Sequence, residues 1–140
     1  MDESTHAASG EERDLKDAST PDSDRHQLDG EAVRRMFEHA AGWLEQHVGA
    51  VNALNVFPVP DGDTGTNMLA TLRAAIAEGD ATLASGITSI DEVSAAVARG
   101  ALLGARGNSG VLLSQILRGL PQAVRGRKRA RASEIASALS

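Results

Sequence analysis

The chain has 140 residues, with no cysteine, no tyrosine, one tryptophan and two phenylalanines. This length fits one domain, and the lack of cysteine excludes a disulfide scaffold, a thiolate zinc site and a cysteine nucleophile. No apolar run approaches the roughly 18 residues of a membrane span, and the N-terminus is acidic. We therefore expect a cytoplasmic protein without a membrane span or a signal peptide.

The net charge of −5 averages three unlike stretches of the chain. Residues 1–29 carry nine acids against three bases, residues 30–117 carry nine acids against five bases, and residues 118–131 carry six bases and no acid. An acidic head with almost no apolar residues is typical of disorder. We therefore expect a disordered tail over residues 1–28 and a domain over residues 29–140.

The basic run near the C-terminus has no aromatic residue between its charges, so it offers no platform on which bases could stack. We expect it to form a solvated loop or helix edge. A nucleic-acid contact through residues 125–131 is the weaker alternative.

Alanine and leucine are abundant and β-branched runs are few, which predicts an all-α fold without strands. The first helix is expected to begin near Asp29 or Gly30 and to end before Pro58, whose ring disfavours helical geometry in the preceding residue. We place Trp43 in the core. The apolar stripe of this helix comprises Val33, Phe37, Ala40, Leu44, Val48 and Val51.

A second helix is predicted from residues 64–66 to Gly79, followed by a loop over residues 80–88. A third opens at Ser89 with a capping-box pattern and runs towards Gly104. A fourth is expected after Gly107, capped by Asn108 or Ser109, up to about Leu120. A last helix is expected over residues 133–139.

The first segment with chemical potential is residues 52–68, NALNVFPVPDGDTGTNM. Asp61 and Asp63 stand one residue apart on a glycine-rich turn that Pro58 and Pro60 stiffen, just before a helix start. Carboxylates there can simply cap the helix. They also suit Mg²⁺, which takes one or two carboxylates together with phosphates and water.

A calcium EF-hand loop is excluded at this turn. If Asp61 is the first position, Gly65 and Leu72 occupy the fifth and twelfth positions, where oxygen ligands are required.

The second segment is residues 104–110, GARGNSG, which also ends at a predicted helix start. Backbone N–H groups at such a point can bind an anion, and glycines let a phosphate approach. The segment is neither a Walker A loop nor a GxGxxG loop, and a plain helix–helix turn is the alternative. Arg106 either neutralises a phosphate or points into solvent. Together, the two segments predict a metal–nucleotide site for phosphoryl transfer.

These two segments, with the second extended to GARGNSGVLLSQILRG (residues 104–119), resemble the signatures of the DhaL-type nucleotide-binding domain. The sequence is more similar to the N-terminal domain of bacterial fatty acid kinases than to the dihydroxyacetone kinase subunit. The resemblance extends over residues 30–120.

The resemblance implies an antiparallel helical barrel that binds ATP or ADP and two magnesium ions at one end. It implies that Asp61, Asp63 and Asn55 are metal ligands, although Asn55 stands where the dihydroxyacetone kinase subunit has an aspartate at a slightly different spacing. The nucleotide-binding residues that it implies are Thr64, Gly65, Thr66, Asn67, Asn108, Ser109 and Gly110. No catalytic residue is identified.

The family domain continues with further helices and a Pro-x-Glu-Gly-Thr segment, so we expect an incomplete barrel with exposed apolar helix faces. The expected partners are ATP and either a fatty-acid-carrying protein or the remaining part of the kinase. The predicted activity is phosphoryl transfer from ATP to a carbonyl-hydroxy or fatty acyl acceptor. The alternative is a non-catalytic truncated fragment or a regulatory nucleotide-binding module.

Overall fold

In the computed structural model, residues 27–54 and 62–140 are described, and they form six helices and one two-stranded sheet. The helices are α1 (Gly30–Ala53), α2 (Thr64–Ala84), α3 (Ile90–Leu103), α4 (Gly107–Leu117), α5 (Gly119–Ala123) and α6 (Ala132–Leu139). The strands are β1 (Gln27–Leu28) and β2 (Ala130–Arg131). The all-α class is confirmed, and the predicted tail lies outside the described residues up to position 26. None of the helices in these ranges has the length and apolar character needed to cross a bilayer.

Helices α1 and α2 are antiparallel, as contacts at their two ends establish. At one end, the Asn52 side chain accepts a hydrogen bond from the Gly65 N–H. At the other end, the Arg34 guanidinium donates to the Asp80 carboxylate at 2.8 Å. The end of α1 thus lies beside the start of α2, which confirms the antiparallel arrangement that the family resemblance implies.

Helix α2 continues five residues beyond Gly79, so the predicted helix end and the loop over residues 80–88 are wrong for residues 80–84. Gly79 is buried, and a Cβ at this position would lie 3.0 Å from Cγ2 of Val97 on α3. Gly100 on α3 likewise lies directly against the Ala74 carbonyl. These glycines let two antiparallel helices approach closely, and the packing of α3 keeps Gly79 helical despite its low propensity.

The core lies between α1, α2 and α3. It includes the α1 residues Val33, Phe37 and Leu44, as predicted, together with Ala41. Ala40 is exposed, and Trp43 is 59% exposed and stacks on His47 with ring centroids 4.2 Å apart. Placing Trp43 in the core was therefore wrong, because its position on α1 points away from α2 and α3.

The two short strands, which the sequence did not predict, lie at the end of the bundle where α1 and α3 begin. They pair antiparallel, with Gln27 opposite Arg131 and Leu28 opposite Ala130. The basic segment that leads into β2 also contacts the start of α3, because the carbonyls of Arg127 and Lys128 accept hydrogen bonds from the first N–H groups of that helix. The backbone of the basic run is thereby held within the fold.

The helix starts differ in how they are capped. Ser89 accepts a hydrogen bond from Glu92 N–H at 3.3 Å and caps α3, as the capping-box pattern predicts. Helix α4 begins at Gly107 with Arg106 at the N-cap position and no side-chain cap, so the prediction that Asn108 or Ser109 caps it is wrong. Both residues lie inside its first turn.

Candidate nucleotide and metal site

The first turns of α2 and α4 meet at one end of the bundle, and these turns belong to the two segments singled out in the sequence. The hydroxyl of Ser109 donates a hydrogen bond to the carbonyl oxygen of Thr64 at 3.3 Å. Gly107 lies directly against the side chain of Asn67. The fold therefore brings together two helix starts that the sequence separates by more than 40 residues.

Glycine is required at two positions of the second segment. Gly107 has φ = 65°, in the left-handed region, and a Cβ there would overlap the Asn67 amide group. A Cβ on Gly110 would overlap Oγ1 of Thr71. The glycine spacing thus serves close packing of α4 on α2 as well as any access for a ligand.

Thr71 joins the two segments from inside the protein, although the sequence did not identify it as a site residue. It is fully buried, and its hydroxyl donates to the Asn67 carbonyl at 2.8 Å while accepting from the Arg106 N–H at 3.2 Å. The sequence signal that could have revealed it is a hydroxyl on the buried face of α2, one position before the core residue Leu72.

Asn52, in the last turn of α1, is the second site residue that the sequence analysis missed. Its Oδ1 accepts hydrogen bonds from the N–H groups of Gly65 at 2.7 Å and Thr66 at 3.2 Å. Its Nδ2 donates to Oγ1 of Thr66 at 3.1 Å. One side chain of α1 therefore caps the start of α2.

Asp63 occupies the N-cap position of α2, yet its carboxylate makes no capping hydrogen bond. An aspartate at this position usually caps the helix with its own side chain. Here the N–H groups that it would cap include those already bonded to Asn52. The Asp63 side chain is half-buried, and its carboxylate has no hydrogen-bond partner among the described residues.

The two helix starts therefore offer different chemistry. At α2, two backbone N–H groups are used by Asn52, and the carboxylate of Asp63 remains. At α4, helical geometry leaves the N–H groups of Gly107, Asn108 and Ser109 without an intrahelical acceptor. The α4 start thus suits an anion, and the Asp63 carboxylate beside the α2 start suits a cation.

Asn55 and Asp61, the other predicted metal ligands, lie outside the described residues. Within the described ranges, no three histidine, cysteine, aspartate or glutamate side chains cluster as a metal site would require. The described groups match a magnesium–nucleotide ligand by their chemical type. The Asp63 carboxylate supplies a hard oxygen that suits Mg²⁺, and the glycine amides lie at the adjoining start of α4.

The other predicted nucleotide-binding residues lie at this same end of the bundle. Thr64, Gly65, Thr66 and Asn67 form the first turn of α2, and Asn108, Ser109 and Gly110 belong to the first turn of α4. Gly65 and Gly110 are buried, whereas Thr66 and Asn108 are exposed. Arg106 is exposed beside them, while its backbone N–H is bonded to Thr71.

A surface pocket of about 330 Å³ lies at the opposite end of the bundle, between Asp29, Thr88, Glu92 and Lys128. It contains none of the predicted site residues, and its charged groups are of both signs. Elsewhere, α4 presents Val111, Leu112 and Ile116 to solvent, with Leu112 63% exposed. This surface, the apolar α4 face, is of the kind that the sequence analysis expected.

Comparison with known proteins identifies the family. The DAK2 domain model matches residues 58–140. Protein YloV of Bacillus subtilis is 45% identical over 112 residues, which are 80% of this chain and 20% of that protein. An uncharacterized protein of Staphylococcus haemolyticus is 39% identical over 110 residues, 79% of this chain and 19% of its own length.

An uncharacterized protein of Staphylococcus saprophyticus is 41% identical over 97 residues, 69% of this chain and 17% of its own length. The chain thus spans a fifth or less of the length of these curated relatives. The matched family segment contains both helix starts that meet at Ser109 and Thr64. The chain therefore belongs to the DAK2 domain family, which is associated with nucleotide binding.

Proposed function

We propose that the chain is the ATP–Mg²⁺-binding domain of a cytoplasmic dihydroxyacetone kinase-like or fatty acid kinase-like protein. Its reaction is transfer of the γ-phosphoryl group of ATP to a carbonyl-hydroxy or fatty acyl acceptor. The observation that carries the proposal is the hydrogen bond from Ser109 to Thr64, which joins a carboxylate-bearing helix start to a glycine-rich one. Membership of the DAK2 family supports the nucleotide as the ligand.

The start of α4 is assigned to the phosphates. Its N–H groups without an intrahelical acceptor and its helix dipole favour negative charge, and Gly107 and Gly110 let this helix start pack closely on α2. Asn108 and Ser109 add polar groups in the same turn. The exposed Arg106 supplies a positive charge beside them.

The start of α2 is assigned to the cation. Asp63 is the described carboxylate that would hold Mg²⁺, with Asp61 and Asn55 as the further ligands that the family resemblance implies. Bound Mg²⁺ would neutralise charge on the phosphate oxygens. The hydroxyl of Thr64 and the side chains of Thr66 and Asn67 line the same turn and would contact the nucleotide.

Phosphoryl transfer depends mainly on positioning and charge neutralisation, so a site without a general base is compatible with catalysis. The second candidate is a regulatory nucleotide-binding module or non-catalytic fragment. One observation favours it: Asp63 and Arg106 are the only titratable groups at the two helix starts among the described residues, and neither is identified as a general base. Nucleotide binding without phosphoryl transfer would support this second candidate.

The apolar α4 face supports a protein partner in either case. We propose that it packs against the remaining part of the kinase, because exposed side chains such as Leu112 and Ile116 favour burial. A fatty-acid-carrying protein is the further partner proposed for a fatty acyl acceptor.

Calorimetric titration of ADP and ATP, with and without Mg²⁺, tests the binding function. We expect magnesium-dependent binding that weakens at least about tenfold, or 1.4 kcal/mol, in Asp63→Asn and further in the Asp61→Asn/Asp63→Asn double variant. Asp80→Asn is the matched control, since it removes a carboxylate from the same helix about 25 Å away.

Absence of magnesium-dependent binding by a folded chain would overturn the proposed function. Equal weakening by Asp80→Asn would overturn the metal assignment alone. Transfer of label from γ-labelled ATP to dihydroxyacetone or to a carrier-bound fatty acid then separates the kinase from the binding module.

A further inference from the structure

The Asn52 side chain uses all of its polar atoms on the start of α2. Its Oδ1 accepts two N–H groups, from Gly65 and Thr66, and its Nδ2 donates to the Thr66 hydroxyl. The three distances lie between 2.7 and 3.2 Å. This contact joins the end of one helix to the start of the next, across the connecting residues 54–63.

Glycine at position 65 makes this contact possible. A Cβ at this position would lie 3.1 Å from both Oδ1 of Asn52 and the carbonyl oxygen of Val48, closer than ordinary van der Waals contact. Gly65 is also buried. The first turn of α2 is therefore packed directly on the last turns of α1, and Asn52 lies at the centre of that contact.

Because Asn52 caps α2, the Asp63 carboxylate is not needed to cap the same helix. Asp63 lies at the N-cap position of α2 with φ = −118° and ψ = 7°, and its side chain makes no capping hydrogen bond to the helix. If Asn52 were absent, the same helix would present unpaired N–H groups to the adjacent carboxylate, which would gain by capping them. An Asp63 side chain engaged in that way would have fewer lone pairs for a cation.

We propose that Asn52 is a positioning residue of the nucleotide site, which caps α2 from the neighbouring helix and so reserves the Asp63 carboxylate for a divalent cation. The inference rests on the proposed function. A neutral amide suits this role because it supplies an acceptor for two N–H groups and a donor for Thr66. A carboxylate at position 52 would supply the acceptor only.

The test measures cation binding directly, in the full chain, by Mn²⁺ titration followed by electron paramagnetic resonance. We expect Asn52→Ala to weaken Mn²⁺ binding about 10–100-fold, the usual effect of losing a group that orients a metal ligand. Asn52→Asp keeps the acceptor for Gly65 and Thr66, so we expect it to recover most of the lost affinity.

Ser89→Ala is the control for a mere loss of helix capping. It removes the side-chain cap of α3 at the opposite end of the bundle, and we expect Mn²⁺ affinity to stay at the wild-type value. Circular dichroism melting establishes that each variant is folded at the titration temperature.

A double-mutant cycle tests whether Asn52 acts through Asp63. In an Asp63→Asn background, we expect Asn52→Ala to change the remaining Mn²⁺ affinity by less than about twofold. An undiminished effect in that background would overturn the positioning role.

The failures of the two proposals are distinguishable. Wild-type protein that binds neither Mn²⁺ nor Mg²⁺–ADP would overturn the proposed function, and the inference with it. Wild-type protein that binds Mn²⁺, together with a folded Asn52→Ala variant of equal affinity, would overturn the positioning role alone. Equal weakening by Asn52→Ala and Ser89→Ala would also overturn it.

Discussion

The hydroxyl of Ser109 donates a hydrogen bond to the carbonyl oxygen of Thr64 at 3.3 Å, which joins residues 45 positions apart in the chain. Thr64 opens α2 and Ser109 lies in the first turn of α4. This bond sets the two helix starts side by side, so a ligand at one of them also lies near the other. The candidate site is therefore formed by the first turns of α2 and α4 together, and not by either turn alone.

Ser109→Ala tests the importance of that bond. We expect a stability loss of about 0.5–1.5 kcal/mol, the usual net value of one hydrogen bond, and weaker Mg²⁺–ADP binding because α4 is no longer held to Thr64. Thermal melting and calorimetry measure the two effects. Ser133→Ala, which changes an exposed serine on α6, should alter neither quantity, and an equal response from both variants would contradict the prediction.

Thr71→Val tests the buried link between the segments. Valine keeps the shape of the side chain but leaves the Arg106 N–H without its acceptor, so we expect a loss of about 1–3 kcal/mol and reduced nucleotide affinity. Thr71→Ser keeps the hydroxyl and removes one methyl group, at a cost of about 1 kcal/mol. The serine variant should retain nucleotide binding. Equal affinities of the two variants in calorimetry would contradict a role for the hydroxyl.

Gly107→Ala tests the left-handed turn at the start of α4. Alanine at φ = 65° costs about 1–2 kcal/mol, and its Cβ would displace the Asn67 side chain. We therefore expect lower stability in denaturant unfolding and weaker nucleotide binding. Gly49→Ala is the control, because this helical glycine has open space around it and should gain about 0.5–1 kcal/mol. A neutral effect of Gly107→Ala would contradict the predicted strain.

Glu134→Gln tests the acid dependence of stability at the other end of the bundle. The hydrogen bond from the Arg127 side chain, followed by that from the Arg131 N–H, lowers the pKa of Glu134 below its ordinary value of 4.5. Because the folded-state pKa is depressed, the stabilising contribution is present above pH 4.5 and is lost as pH falls through the folded-state pKa. We expect the variant to melt below the wild type at neutral pH and the two curves to converge in acid. A gap that stays constant as pH falls through and well below the folded-state pKa would contradict this assignment.

Much of the local structure could be predicted from the sequence, because helix starts and glycine turns depend on neighbouring residues. Ser89 caps α3 as its pattern predicts, and α1 begins at Gly30. Gly79 misled the prediction of the end of α2, since a glycine there serves contact with Val97 rather than termination. Propensity alone does not distinguish these two uses of glycine.

The candidate site, too, could be predicted only in part from the sequence. The residue types of the two turns were recognisable in the sequence, including the carboxylate of Asp63 and the glycines at positions 107 and 110. The roles of Asn52 and Thr71 were not, because each depends on which helix packs beside its own. A hydrogen bond between α1 and α2 leaves no periodic signal in either segment.

The sequence by itself determined the helical class, the positions of the two glycine-rich helix starts and the kind of ligand that their side chains suit. These properties follow from local propensity, backbone freedom and donor chemistry. Only the tertiary structure decided that the two starts adjoin and that Asn52 caps α2 in place of Asp63. The physical reason is that close helix packing determines the hydrogen-bond partner of each polar group. Because Asn52 bonds to the first N–H groups of α2, the Asp63 carboxylate does not.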